Sequence, residues 1–220
     1  KLLPIKSNPG REQDMFDAVK EMFVALGFKQ VPLPLFTVNY QVHRSVANTN
    51  GSFFQRKTPN LGLHFQGASN QPHYLFNAHL DHYFTEEITR KPVLSENWLS
   101  SDGKNILSAD CKAGIALIFQ FVALSLQKET PPSIDLLFDT CEEDGLIGIT
   151  EFVQEKHYHL MPFWESYKKN RPVYSYSFDG EGFFDNMSFY VNKPSSIFLC
   201  KYLMASKPRP AEVLDVVKGA

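Results

Sequence analysis

Apolar side chains recur at helical spacing in two stretches of the chain. After Asn8-Pro9, a capping residue followed by proline, apolar positions repeat every three or four residues up to Leu26. This pattern predicts an amphipathic helix that begins at Pro9 and ends at the stop signal Gly27. Residues 112–127 are apolar on most sides. They predict a second helix, buried in the core.

Short, nearly continuous apolar runs predict the strands of a sheet. They are residues 61–65, 73–78, 133–140, 173–178 and 187–191. A polar loop joins the first two runs, which predicts a hairpin. Helical spacing returns at residues 149–156. Strands that alternate with helices indicate an α/β fold with a mixed, mainly parallel sheet flanked by helices.

Proline and turn-forming residues mark the connections between these elements. Residues 31–35 contain two prolines, which favours an edge strand or an extended segment. Residues 48–52 predict a turn, and residues 90–103 predict a polar connection. After residue 194 the pattern weakens and ends in a short helical repeat at 211–217. We therefore divide the chain into a main domain, residues 1–194, and residues 195–220, which are a C-terminal extension or the start of a truncated region.

The composition is that of an ordinary globular protein. The chain has 220 residues, 43% of them hydrophobic, and a net charge of −2. So small a charge argues against nucleic acid and membrane surfaces as partners, and no apolar stretch is long enough to span a bilayer. The three cysteines, Cys111, Cys141 and Cys200, are far apart and cannot all pair within the chain. We expect a reducing, cytoplasmic environment.

Acidic residues and one histidine follow or end several of the apolar runs. They are His79, Asp81, Asp110, Glu142, Glu143 and Asp179. The carboxyl ends of strands gather along one edge of an α/β sheet, and ligands bind there. One imidazole among several carboxylates suits a divalent cation, most plausibly zinc.

Each of these residues also has an ordinary structural explanation. His79 alone is more often a hydrogen-bonded core or surface histidine than a ligand. Asp110 stands before a helix, where aspartate commonly caps, and Asp179 precedes a glycine in what reads as a turn. Glu142 and Glu143 could form a solvated acidic loop. The sequence leaves these alternatives open for each residue taken alone.

The chemical interpretation gains weight from spacing. Asp81 lies two residues after His79, so on an extended segment both side chains face the same way and the carboxylate can fix the imidazole tautomer. Asp110 has two oxygens that could bridge two cations. Adjacent carboxylates such as Glu142 and Glu143 repel each other unless a cation is near, and one of the pair could bind metal while the other acts as general base.

Four segments in this order resemble the zinc-dependent peptidase T and glutamate carboxypeptidase family, especially its peptidase T-like branch. They are residues 77–81, 101–116, 139–148 and 176–180. The resemblance extends over about residues 8–194. It implies a phosphorylase/hydrolase-like α/β sandwich of the zinc exopeptidase type. It also implies release of a terminal residue from a small peptide by attack of a water that bridges two zinc ions.

The resemblance also implies a role for each site residue. His79 and Asp179 would bind one zinc ion and Glu143 the other, with Asp110 bridging both. Glu142 would be the general base, and Asp81 would orient His79. A cis peptide bond is often found in this family after the bridging aspartate.

The chain departs from the family in three places. Family members have a further metal-binding histidine after an inserted lid domain that often mediates dimerisation, but no histidine follows His159 here. The second zinc site would thus lack its usual histidine, and His82, His157 and His159 are substitutes without family support. Cys111 stands where a second aspartate is usual, and His82 replaces a small residue.

These observations leave two functional hypotheses. The first is a two-zinc exopeptidase or amidohydrolase that acts on small peptides, without nucleic-acid or membrane partners, and that forms a homodimer if the full protein has a lid domain. The alternative is a non-catalytic or truncated peptidase-like domain that serves as a binding or structural module. A cysteine hydrolase is rejected, because Cys111 and Cys141 adjoin carboxylates that would raise a thiol pKa.

Overall fold

The fold of this computed structural model is built on a five-stranded mixed sheet. The structure describes residues 1–41, 53–83, 85, 87–95 and 98–179. In chain order the strands are β1 Lys29–Val31, β2 Leu35–Gln41, β3 Phe53–Pro59, β4 Leu61–Phe65, β5 His73–His79, β6 Val93–Ser95, β7 Trp98–Ser100, β8 Ser133–Asp139 and β9 Val173–Ser177. The helices are α1 Gln13–Val24, α2 Lys112–Ser125, α3 Ile147–Gln154 and α4 Pro162–Lys168, with a 3₁₀ turn at His157–Leu160.

The main sheet has the order β1-β4-β8-β5-β9. Strand β5 pairs in parallel with both β8 and β9, whereas β4 pairs antiparallel with β1 and β8. The predicted mixed sheet flanked by helices is confirmed. Strands β2 and β3 form a separate antiparallel ribbon, and β6 and β7 a small hairpin.

Helices cover both faces of the sheet. Alternate side chains of β8 therefore point into two different cores. Ile134, Leu136 and Phe138 point into the larger core, together with apolar residues of α1 and α2. Leu137 points into a second core with Phe152 of α3 and residues next to α4. Because both faces are covered, every residue of β8 is buried.

The predicted hairpin of residues 61–65 and 73–78 is wrong. Strand β8 lies between β4 and β5 and pairs with both. Leu63 is opposite Leu136, and Phe76 is opposite the same residue from the other side. The local pattern predicted the two strands, but their neighbours in the sheet are distant in sequence.

The predicted start of the first helix is also wrong. Helix α1 begins at Gln13 rather than Pro9. Gly10 has a φ of 71°, which is outside the helical region. The amide of Asn8 donates to the carbonyl of Thr85 instead of capping a helix. The segment before α1 is thus fixed by a tertiary contact.

The remaining elements agree with the sequence more closely. Helix α2 forms as predicted, although its outer face leaves Leu117, Phe121 and Leu124 exposed. The β2–β3 ribbon, helix α4 and the β6–β7 hairpin were not predicted. The predicted turn at 48–52, strand at 187–191 and helix at 211–217 lie outside the described residues, as does the extension 195–220. Within the described ranges, no helix has the length and apolar character needed to cross a membrane.

Candidate metal centre

The six predicted site residues meet at the carboxyl edge of the parallel strands. His79 ends β5, and Asp81 follows two residues later. Glu142 and Glu143 lie in the loop after β8, Asp179 lies just beyond β9, and Asp110 lies just before α2. Parallel pairing of β8, β5 and β9 brings these strand ends together.

His79 lies at the centre of the cluster and is almost completely buried. Its Nε2 atom lies 3.3 Å from Asp110, 3.6 Å from Asp179 and 4.0 Å from Glu142. On the other side of the ring, Nδ1 lies 3.5 Å from Asp81 Oδ1. That separation is long for a hydrogen bond, and Nδ1 has no hydrogen-bond partner within the described part of the chain.

The carboxylates around His79 favour a positive charge at the ring. Burial by itself lowers the pKa of His79, but the nearby carboxylates of Asp110, Asp179 and Asp81 outweigh burial, so that the pKa is raised. A proton on the imidazole is one way to supply that charge. A cation between Nε2 and the carboxylates is another, and it neutralises more of the repulsion among the acids.

Asp81 holds the loop that carries the glutamates. Its carboxylate is completely buried and accepts hydrogen bonds from the backbone N–H groups of Glu142 and Glu143, both at 3.0 Å. The preceding N–H, that of Cys141, donates to Glu12 at 3.0 Å. The buried carboxylates of Asp81 and Glu12 therefore fix the position of this loop.

Glu142 and Glu143 are partly exposed. Burial is the main reason why the pKa of Glu143 is raised to about 7, and the neighbouring carboxylates raise it further. The pKa of Glu142 is raised for the same reasons. Carboxylates with raised pKa values in a cleft are typical of acid–base or ligand sites.

The bend before α2 brings Asp110 and Asp179 to the same place. The peptide bond between Asp110 and Cys111 is cis, as the family resemblance implied. The Cys111 thiol donates to the carbonyl of Phe178 at 2.6 Å, which links this bend to the segment just before Asp179. Cys111 therefore has a structural contact at the position where the family usually has a second aspartate.

Neither cysteine near the site is suited to nucleophilic attack. Burial raises the pKa of the Cys111 thiol to about 12. The pKa of Cys141 is also raised, by burial and by Glu12. Both thiols are buried and protonated near neutral pH, in agreement with the rejection of a cysteine hydrolase.

The donor set fits a divalent cation. Ligand atoms of His79, Asp110 and Asp179 lie within 4.8 Å of one another, and so do those of His79, Glu142 and Glu143. One imidazole with carboxylates on both sides is a set that suits zinc.

None of the three substitute histidines joins either group. Both ring nitrogens of His82 are engaged, since Nε2 accepts from the backbone N–H of Ser7 and Nδ1 donates to the carbonyl of Tyr83. His157 and His159 lie in the 3₁₀ turn after α3. In the ranges that the structure covers, no group of metal-ligating side chains includes any of the three.

Three polar residues that support the site were missed by sequence reasoning, and two of them, Glu12 and Lys112, are buried. Glu12 has its pKa raised to about 7, chiefly by burial. Burial lowers the pKa of Lys112 to about 7, and its ammonium donates to the carbonyl of Ile5 and to Ser108. Asn77 donates to Asp139 at 2.7 Å. Each of them has a partner more than sixty residues away, and no local signal distinguishes them.

Comparison with known proteins gives one family match. The sequence model described as Peptidase family M28 matches residues 60–195. The uncharacterized protein YqjE of Bacillus subtilis is 30% identical over 90 residues, which make up 40% of this chain and 24% of that protein.

Three solved structures share the fold. The aminopeptidase PepT of Bacillus cereus has a TM-score of 0.56 at 22% identity, and a tripeptidase of Staphylococcus aureus has a TM-score of 0.55 at 24% identity. Human carnosine dipeptidase 1 follows with a TM-score of 0.53 at 13% identity. Each comparison covers 82% of this chain, but only 41%, 41% and 37% of the respective solved chain. The predicted peptidase T-like catalytic domain is confirmed at the level of the fold.

Proposed function

The chain belongs to peptidase family M28, and from this premise we propose that it is the catalytic part of a two-zinc exopeptidase that releases a terminal residue from small peptides. The observation that carries the proposal is the position of His79. Its Nε2 atom faces Asp110, Asp179 and Glu142 at 3.3 to 4.0 Å, at the sheet edge where α/β proteins bind ligands.

We propose the metal ligands that the family resemblance implies, and the close approach of their ligand atoms supports this choice. His79 and Asp179 would hold one ion, Glu143 would hold the other, and Asp110 would be shared between them. The chemistry that zinc supplies when bound there is Lewis acidity toward the substrate carbonyl and toward water.

The acid–base work falls to Glu142. Its side chain is 21% exposed and lies 4.0 Å from His79 Nε2, and its raised pKa suits a proton acceptor near neutral pH. In this role Glu142 takes the proton of the attacking water and returns it to the leaving amine. Asp81 fixes the position of Glu142 by accepting a hydrogen bond from the backbone N–H of Glu142.

A second candidate function is a peptidase-like domain without turnover. Its support is that His79 is the single histidine in the two ligand groups of this centre among the described residues, which leaves Asp110 and Glu143 for the second ion. The two functions differ in whether the site hydrolyses peptides. They do not differ in whether it binds a first zinc ion.

The test is zinc content per chain together with hydrolysis of tripeptides, for the wild type and for two matched variants. For the enzyme, Glu142→Gln is expected to keep its zinc and lose activity by about 10²- to 10⁴-fold, the usual contribution of a general base. Glu143→Gln is expected to lose zinc as well as activity. Glu155→Gln, on the outside of the molecule, is the control.

Each alternative result has a defined meaning. Zinc binding without hydrolysis in the wild type would support the module without turnover. No zinc in a folded wild-type chain supplied with excess metal would exclude both candidate functions.

We further propose a cytoplasmic location, supported by the free buried Cys111 and Cys141, and a homodimer if the full protein has a lid domain.

A further inference from the structure

A second cluster of potential metal ligands lies at the opposite end of the same strands. It consists of His64 in β4, His73 at the start of β5, and Asp135 in β8. His73 begins β5 and His79 ends it, so at about 3.3 Å per residue the two clusters are about 20 Å apart. The second cluster therefore has no part in the centre around His79.

Asp135 is the buried anion of this cluster. It is completely buried and points to the face of the sheet that α4 covers. Its Oδ1 lies 2.6 Å from His64 Nδ1, and its Oδ2 lies 3.4 Å from His73 Nε2. Oδ2 also accepts the backbone N–H of Phe163 at 2.6 Å. A carboxylate without access to water needs a positive charge beside it, and the groups in place to supply one are two imidazoles.

Gln66 contacts the ring nitrogen of His64 that faces away from Asp135. The side-chain amide of Gln66 donates to the carbonyl of Gly67 and to Ser133 Oγ, so its oxygen faces His64 Nε2 at 3.3 Å. This contact is a hydrogen bond when Nε2 carries the proton. In the neutral ring the lone pair is on Nδ1, which faces Asp135.

His73 repeats this arrangement. Its Nδ1 is hydrogen-bonded to Ser166 Oγ at 2.8 Å. Its Nε2 is buried, points toward Asp135, and has no hydrogen-bond partner among residues 1–41, 53–83, 85, 87–95 and 98–179. In both histidines the outer nitrogen is held by a polar side chain and the inner nitrogen faces the same carboxylate. Metal-ligating imidazoles are typically held in this way.

We propose that His64 Nδ1, His73 Nε2 and Asp135 form a structural site for a divalent cation of the zinc class. Two imidazoles and a carboxylate favour zinc over magnesium or calcium, which prefer oxygen ligands alone. The ligand atoms lie within 4.8 Å of one another, and the hydrogen bond between His64 and Asp135 opens to admit the ion. His64 is 15% exposed, which gives a route of entry and room for water as a further ligand.

A bound cation at this site would crosslink three strands of the main sheet. The three ligands lie in β4, β5 and β8, and two of them contact α4 and its start through Ser166 and Phe163. Zinc binding would displace the proton that His64 and Asp135 otherwise share. The site would act on stability and needs no turnover at the other end of the sheet.

The test uses the full chain, stripped of metal with a chelator and labelled with ¹⁵N at histidine. On addition of zinc, the imidazole signals of His64 Nδ1 and His73 Nε2 are expected to shift to metal-bound values. In parallel, His64→Gln is expected to bind about one equivalent of zinc less than the wild type. His159→Gln, at an exposed histidine outside every ligand group, is the matched control and should bind as much as the wild type.

Because the zinc count is read as a difference, it does not depend on the centre around His79. Unchanged signals of His64 and His73 in zinc-loaded wild type would overturn the proposal and leave a shared proton as the counter-charge of Asp135. An equal zinc content in folded His64→Gln would overturn it as well. If His64→Gln does not fold, the wild-type signals decide alone.

Discussion

At the scale of single residues, Asp81 links the two halves of the candidate centre. It lies beside His79 Nδ1 on one side and accepts the N–H groups of Glu142 and Glu143 on the other. The sequence suggested only the first contact, because i and i+2 spacing is local. The second contact spans about sixty residues of chain and appears only in the folded protein.

Asp81→Asn is expected to destabilise the metal-free protein by about 1–3 kcal/mol. The amide keeps one acceptor oxygen but turns an NH₂ group toward a backbone N–H, which leaves a buried donor unsatisfied. Zinc affinity should fall by about 10- to 100-fold, since the support of His79 weakens. Urea unfolding and a zinc titration measure the two effects.

The matched control for this substitution is Asp17→Asn on the exposed face of α1, where the side chain accepts a hydrogen bond from Gln13. It should change stability by less than about 0.5 kcal/mol. Wild-type stability and zinc affinity in Asp81→Asn would show that the loop is held by other contacts.

At the scale of elements, the loop from β8 to α3 owes its shape to close backbone packing. The N–H of Ile147 donates to the carbonyl of Cys141, and the N–H of Gly148 to that of Thr140. A Cβ atom at position 148 would lie 2.3 Å from the Thr140 oxygen and 2.5 Å from Asn60 Oδ1. Only glycine allows α3 to begin this close to the strand end.

Gly148→Ala is therefore expected to destabilise the protein by about 1–3 kcal/mol, the usual result of forcing extra volume into a packed site. Helix propensity alone predicts the opposite sign, a gain of about 1 kcal/mol. Denaturant unfolding separates the two. Thr150→Ala, at an exposed position of the same helix, is the control and should be neutral or slightly stabilising. A stabilised Gly148→Ala protein would mean that the loop adapts without cost.

At the scale of the whole molecule, the order of the sheet creates both clusters of ligands. The parallel strands β8, β5 and β9 place the carboxyl ends on one edge, where His79 and the acids meet. Strand β4, inserted antiparallel beside β8, places His64 opposite Asp135 near the other edge. One sheet thereby brings together acids and histidines that are widely separated in the sequence.

Zinc is expected to stabilise the folded chain. A ligand that binds only the native state adds about 2.7 kcal/mol at a free concentration of about one hundred times its dissociation constant. Thermal unfolding of chelator-treated protein, with and without added zinc, measures this as a higher midpoint. The shift should become smaller in His79→Gln, and magnesium should not reproduce it. An identical midpoint with and without zinc would contradict metal binding to the native state.

Much of the fold could be predicted from local pattern, and the errors share one cause. The strands at 61–65, 73–78, 133–140 and 173–178 and helix α2 were predicted because burial imposes a period on each element. The hairpin was wrong because pairing was assigned by proximity in sequence, whereas β8 lies between the two strands. The start of α1 was wrong because the side chain of Asn8 bonds to Thr85 instead.

The sequence by itself determined which side chains could form the candidate centre. His79, Asp81, Asp110, Glu142, Glu143 and Asp179 all follow or end apolar runs, and the structure brings them together, while their individual roles remain predictions. Only the tertiary structure decided which polar groups pair with one another in the folded protein. Glu12 contacts Cys141 across 129 positions, and His64 contacts Asp135 across 71. Periodicity is a local property of the chain, whereas the partner of a buried polar group depends on the order in which the strands assemble.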